Sequence, residues 1–120
     1  MRHEAVFGKG GGYGLVVEKN VLLHHEAIRT GIRIIAQWMK RRKLARPIRI
    51  LDLACGGSPV ISGALMAAFS SVKFQYTGID INPGQVDAAR RFKFAKNVKG
   101  NILDGDAWGL DAIPAHQRFD

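Results

Sequence analysis

Residues 50–60 read ILDLACGGSPV, and this stretch decides the fold. A β-branched, apolar run reaches an acid at Asp52. Four residues later come Gly56 and Gly57, and then Ser58 and Pro59. Ser58 before Pro59 is the pattern of an N-cap followed by proline at the first helical position. A buried strand therefore meets a helix across a short loop that carries a carboxylate and bare backbone. That combination points to a bound small molecule.

Outward from this stretch, strand and helix alternate. IRILDL (48–53) reads as a first strand covered on both faces. VISGALMAAFS (60–70) reads as a helix apolar on nearly all sides and hence buried. FQYTGID (74–80) is a second strand ending in Asp80. Asn82 and Pro83 repeat the cap-then-proline device, and GQVDAARRFKFA (84–95) follows as a helix. Its Val86, Ala89 and Phe92 face inward, and its Arg90, Arg91 and Lys93 face outward. VKGNILD (98–104) is a third strand. GDAWGLDAIP (105–114) is loop with one short helical turn, and RFD (118–120) is expected to open a fourth strand. Strands and helices joined by short links imply an α/β fold, a Rossmann-like parallel sheet with helices on both faces.

In such sheets ligands lie beyond the C-terminal strand ends. Asp52, Asp80, and Asp104 or Asp106 stand there, about one strand–helix repeat apart, on one rim of the sheet. The segment LDLACGGSP (51–59) resembles the first motif of the class I S-adenosylmethionine-dependent methyltransferases: an acid, Asp52, then small residues at Ala54, Gly56 and Ser58. The family has glycine at the first and last of these small positions, where this chain has alanine and serine. Asp80, at the end of the second strand, matches the family's second hallmark, and Gly105-Asp106-Ala107 matches the third. The resemblance covers residues from about 48 onward.

The resemblance implies S-adenosyl-L-methionine as cofactor. It implies that Asp52 orients the loop and holds the ligand's amino group, with Ala54, Cys55 and Gly56 lending close backbone approach. Asp80 would accept from the ribose diol and Ile81 would pack on the adenine. Asp106 would accept from the adenine amino group and the Ala107 N–H would donate to the ring. The sheets of the family have seven strands. This sequence reaches only the fourth, so a following segment, a partner chain or a second copy is expected to complete the sheet. No catalytic base is assigned. A small-molecule acceptor is the first expectation and RNA the alternative.

Other readings weigh against this one. A nicotinamide dehydrogenase needs G-x-G-x-x-G after the strand, but the matching positions are Ala54, Gly56 and Pro59. Aminopropyl transferases share the fold with a more glycine- and acid-rich first loop. A basic adaptor that keeps the fold and binds nucleic acid or a protein partner is the non-enzyme reading. Cys55 reads as a small loop residue, because no His–Asp pair nearby argues for a thiolate nucleophile. His24, His25 and Glu26 lack the H-E-x-x-H spacing, so no metal site is expected.

The totals set the frame. The 120 residues, 47% hydrophobic, suit one domain with a real core. The single cysteine, Cys55, excludes an intrachain disulfide, and no apolar run approaches a membrane span. No secretory signal opens the sequence, so a cytoplasmic setting is expected. The net charge is +8. Eight cations lie between Arg29 and Arg49 and five between Arg90 and Lys99, and Ala27–Leu51 contains no acid. Such a face attracts polyanions or decorates a solvated helix.

Three segments follow. Residues 1–19, with GKGGGYG at 8–14, read as a flexible arm whose Tyr13 closes over the cofactor as a lid. Residues 20–46 hold one helix over 20–45, its apolar stripe formed by Ile28, Ile32, Ile35 and Met39 and widened by Ile34 and Trp38, with Pro47 stopping it. Residues 47–120 form the cofactor-binding domain.

Overall fold

The computed structural model describes residues 13–120. The chain forms two compact units, one ending at Ala45 and the other running from Arg46 to Asp120. Most of the glycine-rich stretch expected as an arm lies outside the described residues. Its end is helical, not loose: α1 spans Tyr13–Glu18.

The helix expected over 20–45 is shorter at both ends. Helix α2 runs His24–Arg41. Asn20 and Leu23 adopt left-handed backbone, with φ 55° and 56°, and break any earlier helical turn. Asn20 then serves the new start. Its Oδ1 accepts the His25 N–H at 2.8 Å and its Nδ2 donates to Glu26 Oε2 at 2.8 Å. At the other end Arg42 turns extended, so the helix stops before Pro47 is reached. The Arg42 guanidinium lies 5.5 Å from the Trp38 ring centroid, a cation–π contact. Ile28, Ile32, Ile35 and Met39 are half-buried as a stripe, whereas Ile34 is exposed and does not widen it.

In the second unit the three strands fall where the sequence places them: β1 Ile48–Leu53, β2 Phe74–Asp80 and β3 Val98–Asp104. They form a parallel sheet in the order β1-β2-β3, with Ile48 opposite Phe74 and Phe74 opposite Val98. The central strand carries the core: Phe74, Tyr76, Thr77 and Ile79 are all buried. Helix α3 (Val60–Ala67) links β1 to β2, and α4 (Pro83–Arg90) links β2 to β3.

Both linking helices lie on one face of the sheet. A Cβ on Gly63 of α3 would come within 3.2 Å of the Phe92 ring, which follows α4. Tyr76 faces the same side, its ring 4.8 Å from Phe94. Thr77 and Ile79 face the other side, where the segment after β3 meets them. Gln117 Nε2 donates to Thr77 Oγ1 at 3.3 Å, and Ala112 closes against Gly105 near Ile79.

Several local expectations are corrected. Ser58 does not cap α3: the cap position is Pro59, and it makes no side-chain cap bond. Instead the Val60 N–H folds back on the Ser58 carbonyl at 2.7 Å. Helix α3 ends at Ala67, and only Met66 in it is buried; the remainder is half-buried or exposed. Its C-terminal turn is closed by Asn97, a residue distant in sequence. The buried Asn97 Nδ2 donates to the carbonyls of Met66, Phe69 and Val72 at 3.2, 3.1 and 2.9 Å. Helix α4 ends at Arg90, where the N–H groups of Arg91 and Phe92 tighten onto Ala88 and Ala89. Phe92, expected inside, is half-buried. Asn82 does cap α4, accepting from Gly84 at 2.9 Å and Gln85 at 3.2 Å.

No fourth strand forms at 118–120. Asp120 nevertheless lies along the outer edge of β1. Its N–H donates to the Arg49 carbonyl at 2.9 Å, and its Oδ2 accepts the Arg49 N–H at 2.9 Å. Arg46 grips the same carboxylate with two bonds of 2.7 Å.

Candidate functional site

The C-terminal strand ends are built around Asp80. Its Oδ2 accepts the Gly56 N–H at 2.9 Å, and its Oδ1 accepts the Asn82 N–H at 2.9 Å. Its backbone carbonyl accepts the Gly105 N–H at 3.1 Å. One residue thus ties together the loop after β1, the start of α4 and the loop after β3. The loops after β1 and β3 hold the candidates Ala54, Cys55, Gly56, Asp106 and Ala107, and Asp80 with Ile81 stands between them.

The loop after β1 is a tight left-handed turn. Ala54 has φ 58° and Gly56 φ 68°. Three successive N–H groups are committed inward: Cys55 to the Ile79 carbonyl at 3.0 Å, Gly56 to Asp80, and Gly57 to Gln85 Oε1. Gly57 is required by close approach, because a Cβ there would meet Gln85 Oε1 at 2.6 Å and the Ala88 Cβ at 2.9 Å. A phosphate-cradling loop turns its N–H groups toward the ligand. This loop does not, which counts against the dinucleotide reading. The loop carbonyls and the neighbouring Asp80 carboxylate are left to meet a ligand, and these suit a cationic or hydroxyl-bearing group.

Asp52 sits two residues below the rim, in register with Gly78. Its Oδ2 accepts from the Tyr76 hydroxyl at 2.7 Å and the Ser62 hydroxyl at 2.6 Å. Burial and the Asp52 charge push the Tyr76 hydroxyl well above its ordinary range, so it stays protonated and donates. Cys55 is buried, its sulfur beneath Gly78, where a Cβ would come within 2.8 Å of it. Burial, with the Asp52 and Asp80 charges, pushes its thiol up to about 11. Only the backbone of Cys55 belongs to the loop surface, and the sulfur is not a nucleophile near neutral pH.

The rest of the rim is open. Ile81 is 68% exposed, directly after Asp80. Asp104 is exposed and in register with Asp80. Asp106 is exposed, with Oδ1 accepting the Trp108 N–H at 2.9 Å, and the Leu110 N–H closes one helical turn onto the Asp106 carbonyl at 3.0 Å. Ala107 is half-buried within that turn.

A scan against protein-family models and a search of curated proteins each returned no match.

Sequence reasoning missed four members of this region: Ser62, Tyr76, Gln85 and Trp108. Gln85 carried a signal. It stands three residues after the Asn82 cap, where a Gln side chain ordinarily reaches back to the cap N–H. Here Asp80 already takes that N–H, and Gln85 turns to Gly57 instead. Trp108 is 96% exposed, and the turn set by Asp106 presents it at the rim. Tyr76 and Ser62 had no signal, since only the strand register and the helix placement bring them to Asp52. Among the described residues no three His, Cys, Asp or Glu side chains gather to hold a metal ion, and no helix is long and apolar enough to cross a membrane.

Proposed function

We propose that this chain carries the S-adenosylmethionine-binding part of a class I methyltransferase, a Rossmann-like domain whose complete sheet has seven strands. The observation that carries the reading is Asp80, itself the second hallmark, which is joined to the first and third motif segments through Gly56 and Gly105. The residues present fit the cofactor. Each Asp80 oxygen accepts one backbone N–H and keeps acceptor capacity for a ribose hydroxyl. Ile81 offers an exposed apolar surface beside it for a purine ring. Asp106 Oδ2 has no partner among the described residues and suits an exocyclic amine. The loop at 54–57, its N–H groups spent, suits the ammonium of an amino acid end. The cofactor supplies a sulfonium-activated methyl group. The protein's task is to align an acceptor with that methyl group.

Ile81 provides the decisive test. It is exposed, so truncating it leaves the fold intact. Titration calorimetry of the full protein with S-adenosylmethionine should show binding. Ile81→Ala should weaken it about tenfold: it removes three carbons, each worth about 0.8 kcal/mol when fully buried, and the open rim buries them only in part. An unbound wild type, or an unchanged affinity in the variant, would refute the assignment.

Two acceptor classes enter this proposal. The small-molecule expectation rested on an N-terminal lid; residues 1–12 lie outside the described residues, and residues 13–18 are helical. A specific feature of the β3 edge favours RNA.

A further inference from the structure

From Ala88 to Leu103 the chain has no acid and five cations: Arg90, Arg91, Lys93, Lys96 and Lys99. All five are exposed. Arg90 lines a groove of about 400 Å³ against β3, together with Phe92, Phe94, Gly100, Asn101 and Ile102 among others, and Arg91, Lys93 and Lys99 each stand next to lining residues in the chain. Arg90 is the only one of the five in an ion pair among the described residues, 3.8 Å from Asp87. The side chains of Arg91, Lys93, Lys96 and Lys99 have no hydrogen-bond or ion-pair partner there.

Arg91 and Lys93 alternate in the chain with the groove residues Arg90, Phe92 and Phe94. Phe92 and Phe94 meet edge to face, with centroids 4.8 Å apart. Phe94 lies against Gly100, where a Cβ would come 2.7 Å from the ring. The aromatic wall is therefore fixed. A lysine on an edge strand commonly blunts edge-to-edge pairing, and Lys99 alone would serve that purpose. It does not account for Arg91, Lys93 and Lys96, which lie on the connection between α4 and β3 and not on the strand. Unpaired cations next to a groove with aromatic walls suit a single strand of nucleic acid, phosphates on the charges and bases against the rings.

We propose that this groove docks single-stranded RNA. An acidic peptide is the poorer fit. Adding a strand needs the outward carbonyls of β3, and the Arg90 guanidinium already donates to the Ile102 carbonyl at 3.5 Å. Asn101, on the same strand edge, is exposed, and its amide, both donor and acceptor, can meet a 2′-hydroxyl of a strand that passes the edge. The docking claim stands apart from the cofactor reading.

The test is fluorescence anisotropy of the full protein with a labelled single-stranded RNA of about ten nucleotides, over a salt series. Wild type should bind, with a log–log slope of roughly −2 to −3 for three or four phosphate contacts. Lys93→Gln/Lys96→Gln/Lys99→Gln should weaken binding by about tenfold or more at low salt and flatten the slope by roughly 2. Lys40→Gln/Arg41→Gln/Lys43→Gln removes as much charge from the end of α2 and the residues just after it and should change affinity less than about threefold, a difference only local contact produces. All the substituted side chains are exposed, and melting curves confirm the fold of both variants. No RNA binding, equal loss in the two variants, or equal affinity for polyglutamate or for DNA of the same sequence would overturn the proposal. The assay contains no cofactor, so its failure leaves the methyltransferase reading standing, and the calorimetric failure of that reading leaves this one standing.

Discussion

The Asp80 carboxylate accepts the Gly56 N–H at 2.9 Å, across 24 residues of sequence. The bond makes the loop after β1 and the end of β2 one structural object. The same carboxylate holds Asn82, so Asp80 also sets where α4 begins.

Removing that carboxylate should therefore be felt without any ligand. Asp80→Ala leaves two backbone N–H groups without their charged acceptor. Hydrogen bonds to charged groups are worth about 1.5–3 kcal/mol each when buried, and this site is half-open, so a loss of about 2 kcal/mol is expected. Urea denaturation of wild type and variant measures it. An unchanged midpoint would mean that Asp80 does not hold the loop in solution.

Ala54 occupies a backbone region that L-residues avoid, with φ 58°. The left-handed conformation disfavours alanine by roughly 1–2 kcal/mol, partly offset by the greater unfolded-state freedom of glycine. Ala54→Gly should thus stabilise the protein by about 0.5–1 kcal/mol. A lower melting temperature in the variant would show that the loop is not left-handed at this residue.

Asn97 closes the C-terminal turn of α3 and its following loop through three carbonyls. Asn97→Ala should destabilise by about 2–3 kcal/mol, because buried acceptors lose their donor. Asn97→Asp should be worse above the usual carboxylate range, where a negative charge faces the same oxygens, and should recover partly as acid protonates it. Chemical denaturation at two pH values separates the two variants.

Acid sensitivity should centre on Asp120. The Arg46 guanidinium, with the Arg49 N–H and side chain, holds its carboxyl well below the ordinary range, against a smaller opposing effect of burial. A carboxyl with a lowered folded pKa stabilises fully above its unfolded value of about 3.9 and loses that contribution as pH falls toward the folded value. Stability should drop below about pH 4 for this reason. Arg46→Gln should shrink that acid-dependent portion while lowering stability at neutral pH. Denaturant midpoints followed downward from about pH 5 test it, and an acid limb of unchanged size in the variant would refute it.

The sequence by itself determined the three strands to the residue. Each holds β-branched residues, is bounded by turn or helix-start residues and carries an acid at its C-terminal end, and that pattern is local. It also determined the cap at Asn82, since an Asn–Pro start needs only its own next turn. Helix ends were less legible. Arg42 turns extended and α4 tightens to its end at Arg91 without proline or glycine, and nothing in the local pattern marks either position.

Only the tertiary structure decided what the acids hold. Asp52, Asp80 and Asp106 look equivalent in sequence, each an acid at or just beyond a strand end. Asp52 takes the Tyr76 and Ser62 hydroxyls, Asp80 takes two backbone N–H groups, and Asp106 fixes its own turn under Trp108. A carboxylate accepts from whichever donor the register and the crossing helices bring within about 3 Å, and those donors lie up to 24 residues away in the chain.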